Sequence, residues 1–373
     1  LSPTSRLSIA ARTHWSDLRT RWKALLISLA IGLIGALVFV QLGIPLPYVV
    51  GPMFANMVMA LSFPQIALWV PAWLKLASLM VIGALFGMTV TPDLIYHIPQ
   101  WWPTMLLIVV FVVLAVASVT LFMRAMGYDM VTSYFSSTPG GMIAAIAMSS
   151  AYHADVRTVS LTQSIRMIVT VFTIPIAFRL FADYHPTDAV AVTLAPTNME
   201  LSDVLIGIAA GIGGYYAGKL IRVPSPHMFG PMIGVAAVNL TGILHLQFPD
   251  PLVAAAQVII GAEVGASFAG IRVRQVARGL MTGVVAGFIM LGVGVACAMV
   301  AHWITDIPST QLILAFAPGG FAEMALVAFG LGADLTFVIF HQLVRYILVM
   351  IASPTMVTVL RRTGALPPLP DKT

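Results

Sequence analysis

Charge is scarce in this chain. Asp, Glu, Lys and Arg together make up 9% of its 373 residues, where a soluble domain carries roughly 25%. That shortage excludes a water-soluble body as the bulk of the molecule, and with it a soluble DNA-binding regulator. Cysteine is nearly absent too. Cys297 stands alone in an apolar run, so neither a disulfide framework nor a cysteine metal site is expected. The eight histidines (His14, His97, His153, His185, His227, His245, His302, His341) are dispersed. No HxxxH or ExxH pair exists to gather a copper or iron ion, as a metal oxygenase requires. Acidic residues are outnumbered, 14 against 19 Lys and Arg, for a formal charge of +5. The basic residues lie at the ends of apolar runs, where the positive-inside rule places them, so no nucleic-acid partner is expected.

What fills the chain is apolar sequence. Hydrophobic residues reach 59% and the mean hydropathy is +0.97. Runs such as Ala24–Val40, Met105–Met123 and Gly279–Ala301 carry almost no charge. About 20 such residues make a helix that crosses a bilayer. The fold class expected is an all-α integral membrane protein with many crossings. Residues 1–23 are polar and Arg-rich and lack an apolar region of their own, which reads as a cytoplasmic arm.

The chain repeats itself. Pro139-Gly140-Gly141 recurs as Pro318-Gly319-Gly320, an offset of 318 − 139 = 179. At that offset Pro45 and Pro47 match Pro224 and Pro226, and Gly51-Pro52-Met53 matches Gly230-Pro231-Met232. Asp155, Gln163, Arg166 and Pro175 match Asp334, Gln342, Arg345 and Pro354. A register of 261 − 83 = 178 aligns IGALFG at 82–87 with IGAEVG at 260–265. The organisation expected is an arm at 1–23, a first transmembrane repeat at 24–181, a linker at 182–200, a second repeat at 201–361 and a tail at 362–373.

Each repeat holds six apolar segments. If all six cross, Lys219, Arg222, Arg272, Arg274 and Arg278 fall outside. If one segment is re-entrant or broken, five cross, the second copy is inverted and those charges move inside, as the positive-inside rule favours. Two inverted repeats are therefore expected, each with about five crossings and one re-entrant or broken element. The PGG segment is the first candidate for that element and the segment after GPM the second. Both chain ends are expected in the cytoplasm and the protein in a bacterial-type inner membrane.

A PGG break frees backbone groups that lipid cannot satisfy, so protein or a water-filled cavity must surround it. The helix that starts after it presents free N–H groups and a partial positive charge. Inverted symmetry brings two such termini together near the midplane, a site suited to an anionic solute. Arg166 and Arg345 stand near the middle of apolar segments, each three residues after a glutamine on the same face. Intramembrane charges are costly and usually functional. The expected substrate-binding set is Pro139, Gly140, Gly141, Gln163, Arg166, Pro318, Gly319, Gly320, Gln342 and Arg345. The copies differ where Ala144, Leu85 and Thr162 of the first face Glu323, Glu263 and His341 of the second. Those three, with Asp155 and Asp334, are the candidate ion-coupling residues. For the two aspartates, helix capping is the simpler reading.

The duplicated GPM and PGG modules, with Gln163/Arg166 and Gln342/Arg345, resemble the AbrB-type membrane family, also labelled "putative ammonia monooxygenase". That family is grouped with the cation:proton antiporter and anion transporter superfamily. The resemblance implies discontinuous helices crossing near the midplane, elevator-type alternating access and a homodimer. The functional expectation is a secondary transporter for a small anionic or zwitterionic solute, coupled to H⁺ or Na⁺, without cofactor, metal or catalytic residues. A membrane sensor that affects gene expression without transport is the alternative. A metal-dependent membrane monooxygenase ranks third and is disfavoured by the scattered histidines.

Overall fold

The computed structural model describes residues 3–44, 46–90, 98–140, 142–181, 201–221, 223, 225–241, 250–270 and 273–362. Gly141, Pro45, Pro224, the linker 182–200 and the tail from 363 lie outside the described residues. The described elements are helices: α1 (Pro3–Gln41), α2 (Pro47–Ser62), α3 (Ala72–Met88), a 3₁₀ turn (Ile98–Trp101), α4 (Trp102–Ala125), α5 (Met130–Ser137), α6 (Met142–Ala151) and α7 (Val156–Phe181). The second half supplies α8 (Leu201–Leu220), α9 (Pro226–Asn239), α10 (Asp250–Ala266), α11 (Val273–Ile304), α12 (Ser309–Phe316), α13 (Phe321–Gly330) and α14 (Leu335–Arg362). Helix α1 begins at Pro3, so the Arg-rich arm and the first apolar run are one continuous helix.

Five helices among the described residues are long and apolar enough to cross a membrane: Thr20–Gln41, Pro99–Ala125, Val156–Leu180, Gly279–Ile304 and Leu335–Ala352. Bulky apolar side chains such as Leu26, Leu33, Leu106, Leu121, Met281 and Trp303 are exposed on them, as a lipid solvent permits and water does not.

The compact units do not coincide with the sequence repeats. One unit combines Leu1–Thr91 with His185–Arg272, the other Pro92–Tyr184 with Val273–Thr373. Each unit takes half of each repeat.

In the first unit, α2 packs on α1 and α10, while α9 packs on α8 and α3. Glycines make these approaches possible. A Cβ on Gly83 or Gly87 of α3 would overlap the carbonyl oxygens of Met228 or Met232 on α9. A Cβ on Gly261 or Gly265 of α10 would overlap those of Val49 or Met53 on α2. The two contacts are equivalent under the repeat, since 261 − 83 = 178 and 228 − 49 = 179. Each repeat's IGA helix thus seats on the other repeat's GPM helix, the reciprocity that a two-fold relation produces. Gly51 and Gly230 of the GPM triplets press on Gly35 and Gly214 of the preceding helices. Pro47 and Pro226 open α2 and α9 at the first turn, where a missing N–H costs nothing. Asn56 donates to Ser28 O at 3.1 Å, and Asn239 to Met88 O at 2.9 Å. The GPM segment is therefore a packing module.

In the second unit the PGG segment is the divided element. Helices α5 and α6, and α12 and α13, have 8 and 10 residues each. At about 1.5 Å per residue none of them spans a bilayer core.

Gly83→Ala or Gly261→Ala forces backbone apart and is expected to cost about 1–3 kcal/mol. Gly213→Ala, where a Cβ meets nothing within 4 Å, is expected to be neutral. Thermal unfolding in detergent separates the two outcomes; equal effects at all three positions would contradict the packing assignment.

Candidate functional site

Proline decides where the short helices end. The residue before proline is pushed out of the helical region. Thr138, before Pro139, takes φ −66° and ψ 121°, and Ala317, before Pro318, takes φ −61° and ψ 131°. The chain leaves the helix there, and the carbonyls of its last turn lose their intrahelical donors. Gly140 then adopts φ +149°, a conformation that side chains disfavour.

The next long helix satisfies those carbonyls. Gln163 on α7 donates Nε2 to Phe135 O at 2.8 Å and to Thr138 O at 3.2 Å. Arg166, one turn on, donates Nη1 to Thr138 O at 2.6 Å. In the second copy Gln342 on α14 donates to Leu314 O at 2.8 Å and Ala317 O at 3.3 Å. Arg345 donates to Ala317 O, to Gly319 O at 3.1 Å and to Gln342 Oε1. The acceptors correspond, 314 − 135 = 179 and 317 − 138 = 179. A Gln/Arg fork therefore caps the carbonyl end of each broken helix, where the helix dipole is negative and a cation is stabilising.

Hydrogen bonds to carbonyls do not neutralise a guanidinium. Arg166 is 4% exposed and Arg345 3%. Neither has a carboxylate partner among the described residues, and the Nε of each is buried without a hydrogen-bond partner. Buried charges are normally paired.

Both breaks belong to one compact unit, and each lies against the other copy's long helix. A Cβ on Gly140 would sit 3.9 Å from Tyr346 Cα, one residue past Arg345. A Cβ on Gly320 would sit 3.0 Å from Met167 Sδ, one residue past Arg166. The PGG breaks, both arginines and both glutamines are thus brought together.

The second break differs from the first. Gly320 is the N-cap of α13 and Glu323 stands in its first turn. The Glu323 carboxylate folds back over Gly320, close enough that any Cβ there would collide with Oε2. The carboxylate in the first turn therefore stands beside the N-cap at the amide end of the second break. The matching residue of the first copy is Ala144, which has no charge to offer.

Glu263, Asp155 and Asp334 are elsewhere. Glu263 lies in the first unit, paired with Lys75 at 2.7 Å and partly exposed. Asp155 and Asp334 are exposed and cap α7 and α14. Asp155 accepts from Arg157 N at 3.0 Å and Thr158 N at 3.3 Å, Asp334 from Thr336 N and Phe337 N at 3.0 Å. The Thr158 hydroxyl holds the Asp155 carboxyl below its ordinary range; burial opposes it, and the Thr158 and Arg157 amides and the Arg157 charge each add a smaller lowering. His341 is fully buried and meets Thr104. Thr138 and Thr104 did not stand out in the sequence. Thr138 could have been found, because the residue before a helix-breaking proline must free its carbonyl.

The fold and these broken helices define an all-α, multi-pass membrane protein with a buried cationic site in one of its units. The chain belongs to the family described as "Transition state regulatory protein AbrB", whose model matches residues 48–361. It is 28% identical over 349 residues to the "Uncharacterized protein YhjN" of Bacillus subtilis (strain 168), covering 87% of this chain and 90% of that protein. It is 26% identical over 325 residues to the "Putative regulator AbrB" of Escherichia coli (strain K12), covering 85% and 91%.

Gln342→Leu leaves the Leu314 carbonyl without its donor and frees Arg345 from Gln342. An unsatisfied buried carbonyl costs about 1–3 kcal/mol. A matching fall in thermal stability is expected, and an unchanged melting temperature would show that the fork does not support the break.

Proposed function

We propose that the protein is a secondary active transporter for a small anionic or zwitterionic solute, and that it is not an enzyme. The observation that carries this reading is the pair of buried guanidiniums without a carboxylate partner, set at two helix breaks. With Glu323 ionised, the two arginines leave one positive charge uncompensated in a low-dielectric setting. A bound carboxylate would neutralise it through charge-assisted hydrogen bonds. Backbone irregularity at membrane depth in duplicated, broken helices is also the pattern of transporter substrate sites.

In this reading Arg166, Arg345 and the backbone about Gly140 and Gly319 bind the solute, Gln163 and Gln342 hold the breaks open, and Glu323 and His341 serve coupling to H⁺ or Na⁺. Alternating access is of the elevator type, in a homodimer. The protein sits in an inner membrane with both ends in the cytoplasm. The word "regulatory" in the family description, and "regulator" in the name of one relative, favour a second reading: a membrane sensor that binds the same solute without moving it.

Uptake of labelled acetate, succinate, citrate and glutamate into proteoliposomes, with and without pH and Na⁺ gradients, tests both. Gradient-driven uptake of at least one solute is expected. Arg166→Lys and Arg345→Lys, which keep the charge but lose the fork, are expected to lower it tenfold or more, the equivalent of about 1.4 kcal/mol. Saturable binding without flux would favour the sensor, and uptake unchanged in both variants would overturn the site assignment.

A further inference from the structure

His341 sits on α14 one turn before Arg345 and is fully buried. Its Nδ1 lies 2.8 Å from Phe337 O, and its Nε2 lies 2.7 Å from Thr104 Oγ1. The same hydroxyl lies 2.7 Å from Trp101 O. Each of these three contacts needs a proton. Carbonyls only accept, so the proton toward Phe337 comes from Nδ1 and the proton toward Trp101 from the hydroxyl.

The proton count decides what the arrangement is. A neutral imidazole brings one N–H and the threonine one O–H, so one contact must place two lone pairs face to face. An imidazolium brings two N–H groups, and with the hydroxyl it fills all three. Three rings surround it: Phe337 at 3.9 Å between centroids, Trp101 at 5.8 Å and Phe340 at 6.2 Å. Aromatic faces stabilise a cation.

Among the described residues, the ionisable groups on the elements packed around His341 are few. On its own helix Arg345 is four residues on, Tyr346 five, and Asp334 caps the helix seven residues before; Glu323 is on α13. Helix α12 has none, and Arg124 of α4 is about 30 Å along the helix from Thr104. The first copy has Thr162 in place of His341, and its hydroxyl is buried without a partner. Only the second copy can titrate here.

We propose that His341 is a proton-binding site whose charge state sets the direction of the Thr104 hydroxyl, and that this proton is the co-transported ion. When the ring is neutral, the Thr104 hydroxyl turns to Nε2 and the Trp101 carbonyl at the head of α4 loses that hydroxyl as a donor. When the ring gains a proton, Nε2–H donates to Thr104 and the hydroxyl turns to Trp101. The assignment to co-transport rests on the anion-site reading. The Arg345 cation opposes a second charge one turn away, so an anion neutralising Arg345 makes the His341 proton easier to hold. Proton and anion then bind together and travel in the same direction.

The test is nitrogen NMR of ¹⁵N-histidine protein in liposomes, with the His341 signal identified by its loss in His341→Thr, or in His341→Gln where the first does not fold. The expected result is a ring that passes from one N–H to two as pH falls, while the ¹³C-labelled Trp101 carbonyl shifts with it. Thr104→Val is expected to abolish the Trp101 response and leave the ring's titration in place. Adding succinate at fixed pH is expected to convert further rings to the two-N–H form. A ring that keeps one N–H throughout, or a Trp101 carbonyl indifferent to it, overturns the proton site whether or not succinate binds. An intact titration that succinate never moves overturns the coupling to the arginine site and leaves the proton site standing.

Discussion

A helix that ends inside a membrane depends on something to satisfy its last carbonyls. Here that is the fork made by Gln163 with Arg166 and, in the second copy, Gln342 with Arg345. The order of cause is short. Pro139 and Pro318 turn the preceding residue out of the helix, carbonyls are freed, lipid offers them no donor, and the next long helix supplies it. Guanidinium is suited to this place because its planar donors reach several oxygens at once. The same choice leaves two cations buried where no carboxylate of the described residues meets them. The structural device that supports the breaks is also the basis of the proposed anion site.

Duplication supplies symmetry, and the departures from symmetry carry the chemistry. The first unit is nearly symmetric: Gly83 and Gly87 seat on one GPM helix as Gly261 and Gly265 seat on the other. In the second unit the forks reach equivalent carbonyls, though Arg345 also donates to Gly319 O and Gln342 Oε1, and Glu323 and His341 have only Ala144 and Thr162 as counterparts. One break therefore carries a carboxylate in the first turn of its own helix and the other does not. In the proposed transport cycle, a solute held between these unequal ends would meet a directional field, and the titratable ring near one end would link that field to protons.

Much of this was legible in one sequence. The constant offset exposed the duplication, and the three-residue spacing of each glutamine and arginine placed them on one face. The PGG segment proved to be the divided element because proline acts on its immediate neighbour, a local effect. The rest is tertiary. Gln163 reaches an oxygen 28 residues earlier in the chain, and Thr104 meets His341 across 237 residues; no spacing rule spans such distances. Glu263, read with the coupling residues, pairs with Lys75 inside the first unit, while the PGG breaks belong to the second. That the units draw on both repeats was equally hidden, because the glycine contacts responsible join residues about 145–210 positions apart, and close approach of backbones is a property of the fold, not of local pattern.

The central claim is that the two guanidiniums hold a carboxylate between the breaks. Dipolar recoupling between ¹³C-carboxylate succinate and ¹⁵N-arginine side chains, in protein reconstituted in liposomes, measures that contact directly. The account predicts a signal at hydrogen-bonding distance that weakens in Arg166→Lys and again in Arg345→Lys. A bound carboxylate that shows no contact with any arginine, or one whose contact survives both substitutions together, would contradict it.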